Sequence, residues 1–136
     1  MFEPETDKCV LVLADGLDSG VAANVAAVLG VTLGDRLPLV GPDSPDASGE
    51  PHLGLTKATI PLLSAPPERL PELRRRARAK GLGVADFTEA AQRRTYPEYQ
   101  RELAAAPTDE HRYLGLALYG PKRDVNSVSG SLRLFR

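Results

Sequence analysis

Residues 8–29 read Lys-Cys-Val-Leu-Val-Leu-Ala, then Asp15-Gly16-Leu17-Asp18-Ser19, then Gly-Val-Ala-Ala-Asn-Val-Ala-Ala-Val-Leu. The first seven residues form a continuous apolar run without alternation, the pattern of a strand covered on both faces. Asp15 to Asp18 is turn chemistry, and Asp18 or Ser19 can cap a following helix. Residues 20–29 are apolar on nearly every side, which predicts a buried helix with Gly30 as its stop. A two-faced strand leading through a short turn into a buried helix is the opening of an α/β domain.

The remainder continues that alternation. Residues 58–64 predict a second strand, limited by Pro61 to an edge or a bulge. Pro67 opens a helix to about Lys80, striped by Leu70, Leu73 and Ala77 and stopped by Gly81. Residues 82–87 predict a third strand. Thr88 and Glu89 begin a helical stretch that Pro97 interrupts, resuming to about Ala106. Residues 112–119 predict a fourth strand, and Pro121 starts a short helix to about Val128. Leu132, Leu134 and Phe135 form a short alternating segment able to pack back on the core. The expected architecture is α/β with a mostly parallel sheet, in a single domain over residues 1–136. Residues 31–55 carry Pro38, Pro42, Pro45 and Pro51 and read as a long irregular excursion in which only Leu37–Val40 suits a strand.

Composition narrows the function classes. The 136 residues hold 17 cationic and 18 acidic side chains, a formal charge of −1, which argues against binding nucleic acid by bulk charge. No apolar run approaches the ~20 residues of a membrane span. The acidic start does not resemble a secretory leader, so a cytoplasmic setting is expected. The single cysteine, Cys9, has no partner within the chain. There is no Cys/His cluster for zinc, and neither metal nor cofactor is expected. The cations Arg69, Arg74, Arg75, Arg76, Arg78 and Lys80 surround a helix without interleaved aromatics, the pattern of a solvated face rather than of a base-stacking surface.

Candidate site residues follow from position. The carboxyl ends of strands are where open α/β sheets bind ligands. Asp15 and Asp18 occupy the first such turn, with turn and cap chemistry as their alternative role. Asn24, the one polar residue of the apolar helix, either ties that helix to a loop or faces a cleft. Lys57 and Thr59 enter the second strand, where a lysine can meet an anionic substrate or simply guard a sheet edge. Glu89 follows the third strand and can act as a general base if burial raises its pKa, or can complement a helix dipole. Asp15, Asp18, Asn24 and Thr59 are therefore ligand-binding candidates, and Glu89 and Lys57 catalytic ones.

The order of motifs resembles a known group. Val-Leu-Val-Leu-Ala (10–14), Gly-Val-Ala-Ala-Asn (20–24), Gly-Leu-Thr-Lys (54–57), Lys-Gly-Leu-Gly-Val (80–84), Thr-Glu-Ala (88–90), Leu-Gly-Leu-Ala-Leu-Tyr-Gly-Pro (114–121) and the closing Val-Ser-Gly-Ser-Leu-Arg-Leu-Phe (128–135) resemble the class II peptidyl-tRNA hydrolase superfamily. The stretch Val-Gly-Pro-Asp-Ser-Pro-Asp-Ala-Ser-Gly (40–49) is closer still to relatives grouped as domain of unknown function number two thousand. The resemblance implies a three-layer fold with a four-stranded, mostly parallel (mixed) sheet flanked by helices, a homodimer, and an inherited cleft for a small or peptide-like ligand. The hydrolases carry Gly-Lys-x-Ala-Ala-Gln at the first helix, with the lysine in the active site. Here Val21 takes the lysine position, Asn24 the glutamine position, and Glu89-Ala90-Ala91 the place of the family's Asp-Ala-Gly. A valine neither donates a proton nor holds a phosphate, so loss of peptidyl-tRNA hydrolysis is expected. Two alternatives stand beside this reading: a hydrolase rebuilt around Glu89, Lys57 and Asp15, and a non-catalytic homo-oligomeric interaction protein.

Overall fold

The computed structural model describes residues 2–136. Strand β1 (Asp7–Ala14) lies at the centre, with Cys9 to Ala14 all buried. Helix α1 follows (Ser19–Arg36). The excursion holds two short strands, β2 (Ser44–Pro45) and β3 (Pro51–His52), paired only with each other. Then come β4 (Leu62–Ala65), α2 (Leu70–Ala79), β5 (Gly83–Thr88), α3 (Tyr96–Ala104), β6 (Tyr113–Pro121), α4 (Lys122–Ser129) and β7 (Arg133–Leu134).

The main sheet has five strands in the order β5-β6-β1-β4-β7. The expectation of four strands is corrected by β7: the closing alternating segment pairs with β4, Leu63 opposite Leu134. "Mostly parallel" is corrected too. Only β1 and β4 pair in parallel, whereas β1–β6, β5–β6 and β4–β7 are antiparallel. β1, β4 and β5 do point the same way, as their helical connections require. But β5 sits two places from β1, and β6 fills the slot between them in the opposite direction.

Both faces of the sheet are covered, as the unalternating β1 predicts. One face carries Val10, Val12, Leu116 and Leu118 against Leu70, Leu73 and Ala77 of α2 and Val125 and Val128 of α4. The other carries Cys9, Leu11, Leu13 and Ala117 against Ala22, Val25, Leu29 and Leu33 of α1. α1 lies directly over Gly115, where an added Cβ would come within 2.7 Å of Val25 Cγ1 and 2.8 Å of Leu13 Cδ2.

Four local expectations are revised. α1 does not stop at Gly30 but runs to Arg36. Leu29 and Leu33 continue the buried stripe, and packing along it outweighs the helix cost of glycine. Its end comes where Pro38 forces Leu37 into extended geometry. Nor is α1 buried all round: only Ala22, Val25, Leu29 and Leu33 are buried, while Val31 is 75% exposed. Pro97 begins α3 rather than breaking a helix, and the Thr95 side chain caps that start by accepting from the Glu98 N–H. The excursion is also more ordered than its prolines suggest. Asp46 accepts hydrogen bonds from the Ser48 and Glu50 N–H groups and meets His52 Nε2 at 2.9 Å. Among the described residues no helix is long and apolar enough to cross a membrane.

Candidate functional site

β1, β4 and β5 end, and β6 begins, at one end of the sheet. After β5 the chain makes a tight 3-10 turn, Glu89–Ala91. Arg94 staples this turn: its Nη1 donates to the carbonyls of Glu89 at 3.1 Å, Ala90 at 3.2 Å and Gln92 at 3.3 Å, and its Nη2 meets Glu102 of α3 at 3.3 Å. The preceding Arg93 takes a left-handed conformation, φ 52°, to make the reversal. The turn is tied to β6 through the Glu89 N–H, which donates to the Arg112 carbonyl at 2.8 Å. Above that bond the two side chains pair, Arg112 Nε to Glu89 Oε2 at 3.5 Å.

This ion pair separates two neighbouring cavities. The smaller, about 240 Å³, is lined by Asp18, Val21, Gln92 and Leu114 as well as Glu89 and Arg112. The larger, about 670 Å³, lies between the 3-10 turn and α3, and Thr88, Arg94, Glu102 and His111 help to line it. The Thr88 hydroxyl, at that wall, is buried without a hydrogen-bond partner. The Glu89 and Arg112 side chains are 54% and 70% exposed, so the burial that a general-base role for Glu89 would require is absent. Solvated ion pairs of this kind contribute about 0–1 kcal/mol. Their partners are thus exchanged at little cost: a carboxylate can take the Arg112 guanidinium while an ammonium takes Glu89.

The sequence candidates fall into separate places. Asp18 and Glu89 share the smaller cavity. Asp15 lines another, with Ser64 and Arg133. Asn24 faces a groove between α1 and α3, beside Asp86, Tyr96 and Tyr99, which is the cleft alternative for that residue. In that groove the Tyr99 hydroxyl is pushed above its usual pKa, first by desolvation and then by the Asp86 charge. Lys57 and Thr59 precede β4 and so lie at the opposite end of the sheet, with Lys8 and Lys122. The trio Glu89, Lys57 and Asp15 therefore shares no cavity, and the rebuilt hydrolase site is not assembled. Asp18 occupies the N-cap position of α1, but its side chain makes no cap hydrogen bond.

Sequence reading missed Arg94, Arg112 and His111. Arg94 and Arg112 carry no local motif, because their roles depend on the turn and on the antiparallel β6. Of the arginines read as a solvated face, Arg74 pairs with Asp86 at 3.1 Å in a partly buried position, and Arg75 pairs with Asp109 at 3.0 Å. Among the described residues no group of three or more His, Cys, Asp or Glu is placed to hold a metal ion.

A family model described as protein of unknown function (DUF2000) matches residues 7–136. No curated protein matches the chain. Among solved structures, a protein of unknown function from Agrobacterium tumefaciens strain C58 is similar with a TM-score of 0.87, over 100% of both chains at 17% identity. At that identity the likeness concerns the fold.

Proposed function

The chain belongs to the DUF2000 family of proteins of unknown function, and from that premise we propose a peptidyl-tRNA hydrolase II-like domain that has lost the hydrolase reaction and binds a small or peptide-like ligand in the cleft beside β5. The observation that carries this reading is the solvated Glu89–Arg112 pair, which forms a wall shared by two cavities. One carboxylate and one guanidinium in weak contact suit a ligand bearing both an amine and a carboxylate, such as an amino acid or a short peptide. Val21, and Gly20 where the motif is counted back from Asn24 without a gap, supply no amine where the resemblance puts one, which supports the loss of chemistry. Lys57, at the other end of the sheet, does not replace it. The buried, unpaired Cys9 suits a reducing, cytoplasmic setting.

An amide-NMR titration with the dipeptide Ala-Ala tests the binding. Shifts are expected at Glu89, Gln92 and Arg112, with much weaker binding of the N-acetylated, C-amidated dipeptide. Arg112→Gln should lower affinity about tenfold or more, as loss of a charge-assisted hydrogen bond does. Equal binding of the charged and neutral peptides would refute the reading.

A homodimer is the second reading. Val31 on α1 is 75% exposed, and Leu53 and Leu55 on the excursion are each 81% exposed. A second copy seated over these side chains would remove them from water. Sedimentation of the purified chain at micromolar concentration should give a dimer mass, and a monomer there would end this reading.

A further inference from the structure

The opposite end of the sheet holds a second, differently built cavity. Thirteen of the chain's 17 cations are arginine and only four are lysine, yet Lys8, Lys57 and Lys122 line this one space of about 440 Å³. The three arrive from distant parts of the chain. Lys8 lies in β1 opposite Gly120. The Lys57 N–H donates to the Leu39 carbonyl at 2.7 Å, and the Lys122 N–H, at the start of α4, donates to the Thr6 carbonyl at 3.0 Å. Every lysine backbone at the cavity is thus anchored, and only the flexible stems remain to adjust.

The polar groups around them are arranged for an anion. Lys8 Nζ donates to Asn126 Oδ1 at 2.8 Å, which occupies the amide oxygen and leaves the amide NH2 as a donor. Thr59 adds a hydroxyl to the lining. Among the described residues neither Lys57 nor Lys122 forms an ion pair. The one acid in the lining, Asp7, forms none with the lysines either, and its Oδ2 accepts the Glu3 N–H at 2.7 Å. Three ammonium groups against one carboxylate leave a surplus of two positive charges over a space of small-ligand size.

We propose that this cavity is a binding site for a small multivalent oxyanion, with Lys8, Lys57, Lys122, Asn126 and Thr59 as its donors. The site is independent of the cleft beside β5 and does not rest on the function proposed for it. Ammonium groups suit this ligand class because they meet an oxyanion as compact point charges from several directions, without the fixed bidentate plane of a guanidinium.

Calorimetric titration of the full chain at low ionic strength tests the site, with pyrophosphate and citrate as separate probes. At least one should bind, and the tighter of the two tells a phosphorylated ligand from a polycarboxylate. Lys57→Gln and Lys122→Gln should each weaken binding about tenfold or more. Asp7→Asn, which can keep the Glu3 hydrogen bond, should tighten it. Raising the salt concentration should weaken it. Far-ultraviolet circular dichroism and melting curves establish that each variant remains folded. Failure of both probes to bind at millimolar concentration, or unchanged affinity in the folded Lys57→Gln/Lys122→Gln double variant, would overturn the proposal.

Discussion

Gly30→Ala reports directly on how α1 is built. In the structure Gly30 is an interior helical residue, with six more helical positions before the end at Arg36. A Cβ placed there meets nothing within 4 Å, so the substitution carries no steric cost. What remains is backbone entropy, and alanine in a helix interior is favoured over glycine by about 0.5–1 kcal/mol. For a chain of this size that raises the melting temperature by about 2–4 °C. If the helix ended at Gly30, as its sequence suggests, the glycine would stand just past the last turn in a left-handed conformation. Alanine there would destabilise by about 1 kcal/mol, reversing the sign. Gly16→Ala supplies the opposite case. Gly16 also has open space around it but sits at φ +80°, so its substitution should lower stability by about 1–2 kcal/mol through backbone strain alone. Urea unfolding of the three proteins measures both values, and a drop in stability for Gly30→Ala would refute the continuous helix.

Gly115→Ala should destabilise by about 1–3 kcal/mol, because its methyl group meets Val25 and Leu13 below ordinary contact distance; urea unfolding is again the measure, and a neutral result would mean that α1 is not seated there. The Asp46 carboxyl is held below its ordinary pKa of 3.8, first by the hydrogen bond with His52 and then by the Ser48 and Glu50 N–H groups. Its contribution to the β2–β3 hairpin is therefore complete above pH 3.8 and fades as pH falls through the lowered folded value, so a carboxyl NMR titration should show late protonation that coincides with loosening of residues 44–52. Burial pushes the Cys9 thiol above its usual pKa, so the folded protein should resist a thiol reagent at pH 8 and react once unfolded in urea.

Much of the framework is legible because the longer strands and α2 carry local signatures. The unalternating run at Val10–Leu13, the stripe Leu70, Leu73, Ala77, and the breaks at Gly81 and Gly120-Pro121 mark elements whatever lies beside them. Strand order is not local. Nothing in residues 113–121 says that β6 inserts between β1 and β5, and that single insertion makes two of the sheet's four pairings antiparallel. β7 is only two residues long, Arg133–Leu134, too short for periodicity to mark as a strand. Gly30 misleads because glycine in a helix costs less than burial of Leu33, one turn further on, contributes. That Asp18 and Glu89 come to the same end of the sheet was legible, because both follow strands of the same direction. It was not legible at Arg112, whose place depends on the direction of β6, or at Arg94, which acts through three backbone carbonyls of the turn. Lys57 and Thr59 enter β4, which puts them at its amino end, away from Glu89.

Incubation of the chain with an N-acetylated aminoacyl-tRNA, following release of free tRNA with time, is the most direct measurement of the proposed lack of peptidyl-tRNA hydrolysis. Release no faster than spontaneous hydrolysis is expected, with Glu89→Gln and Arg112→Gln indistinguishable from the unaltered chain. Release well above that rate, abolished by either substitution, would contradict it.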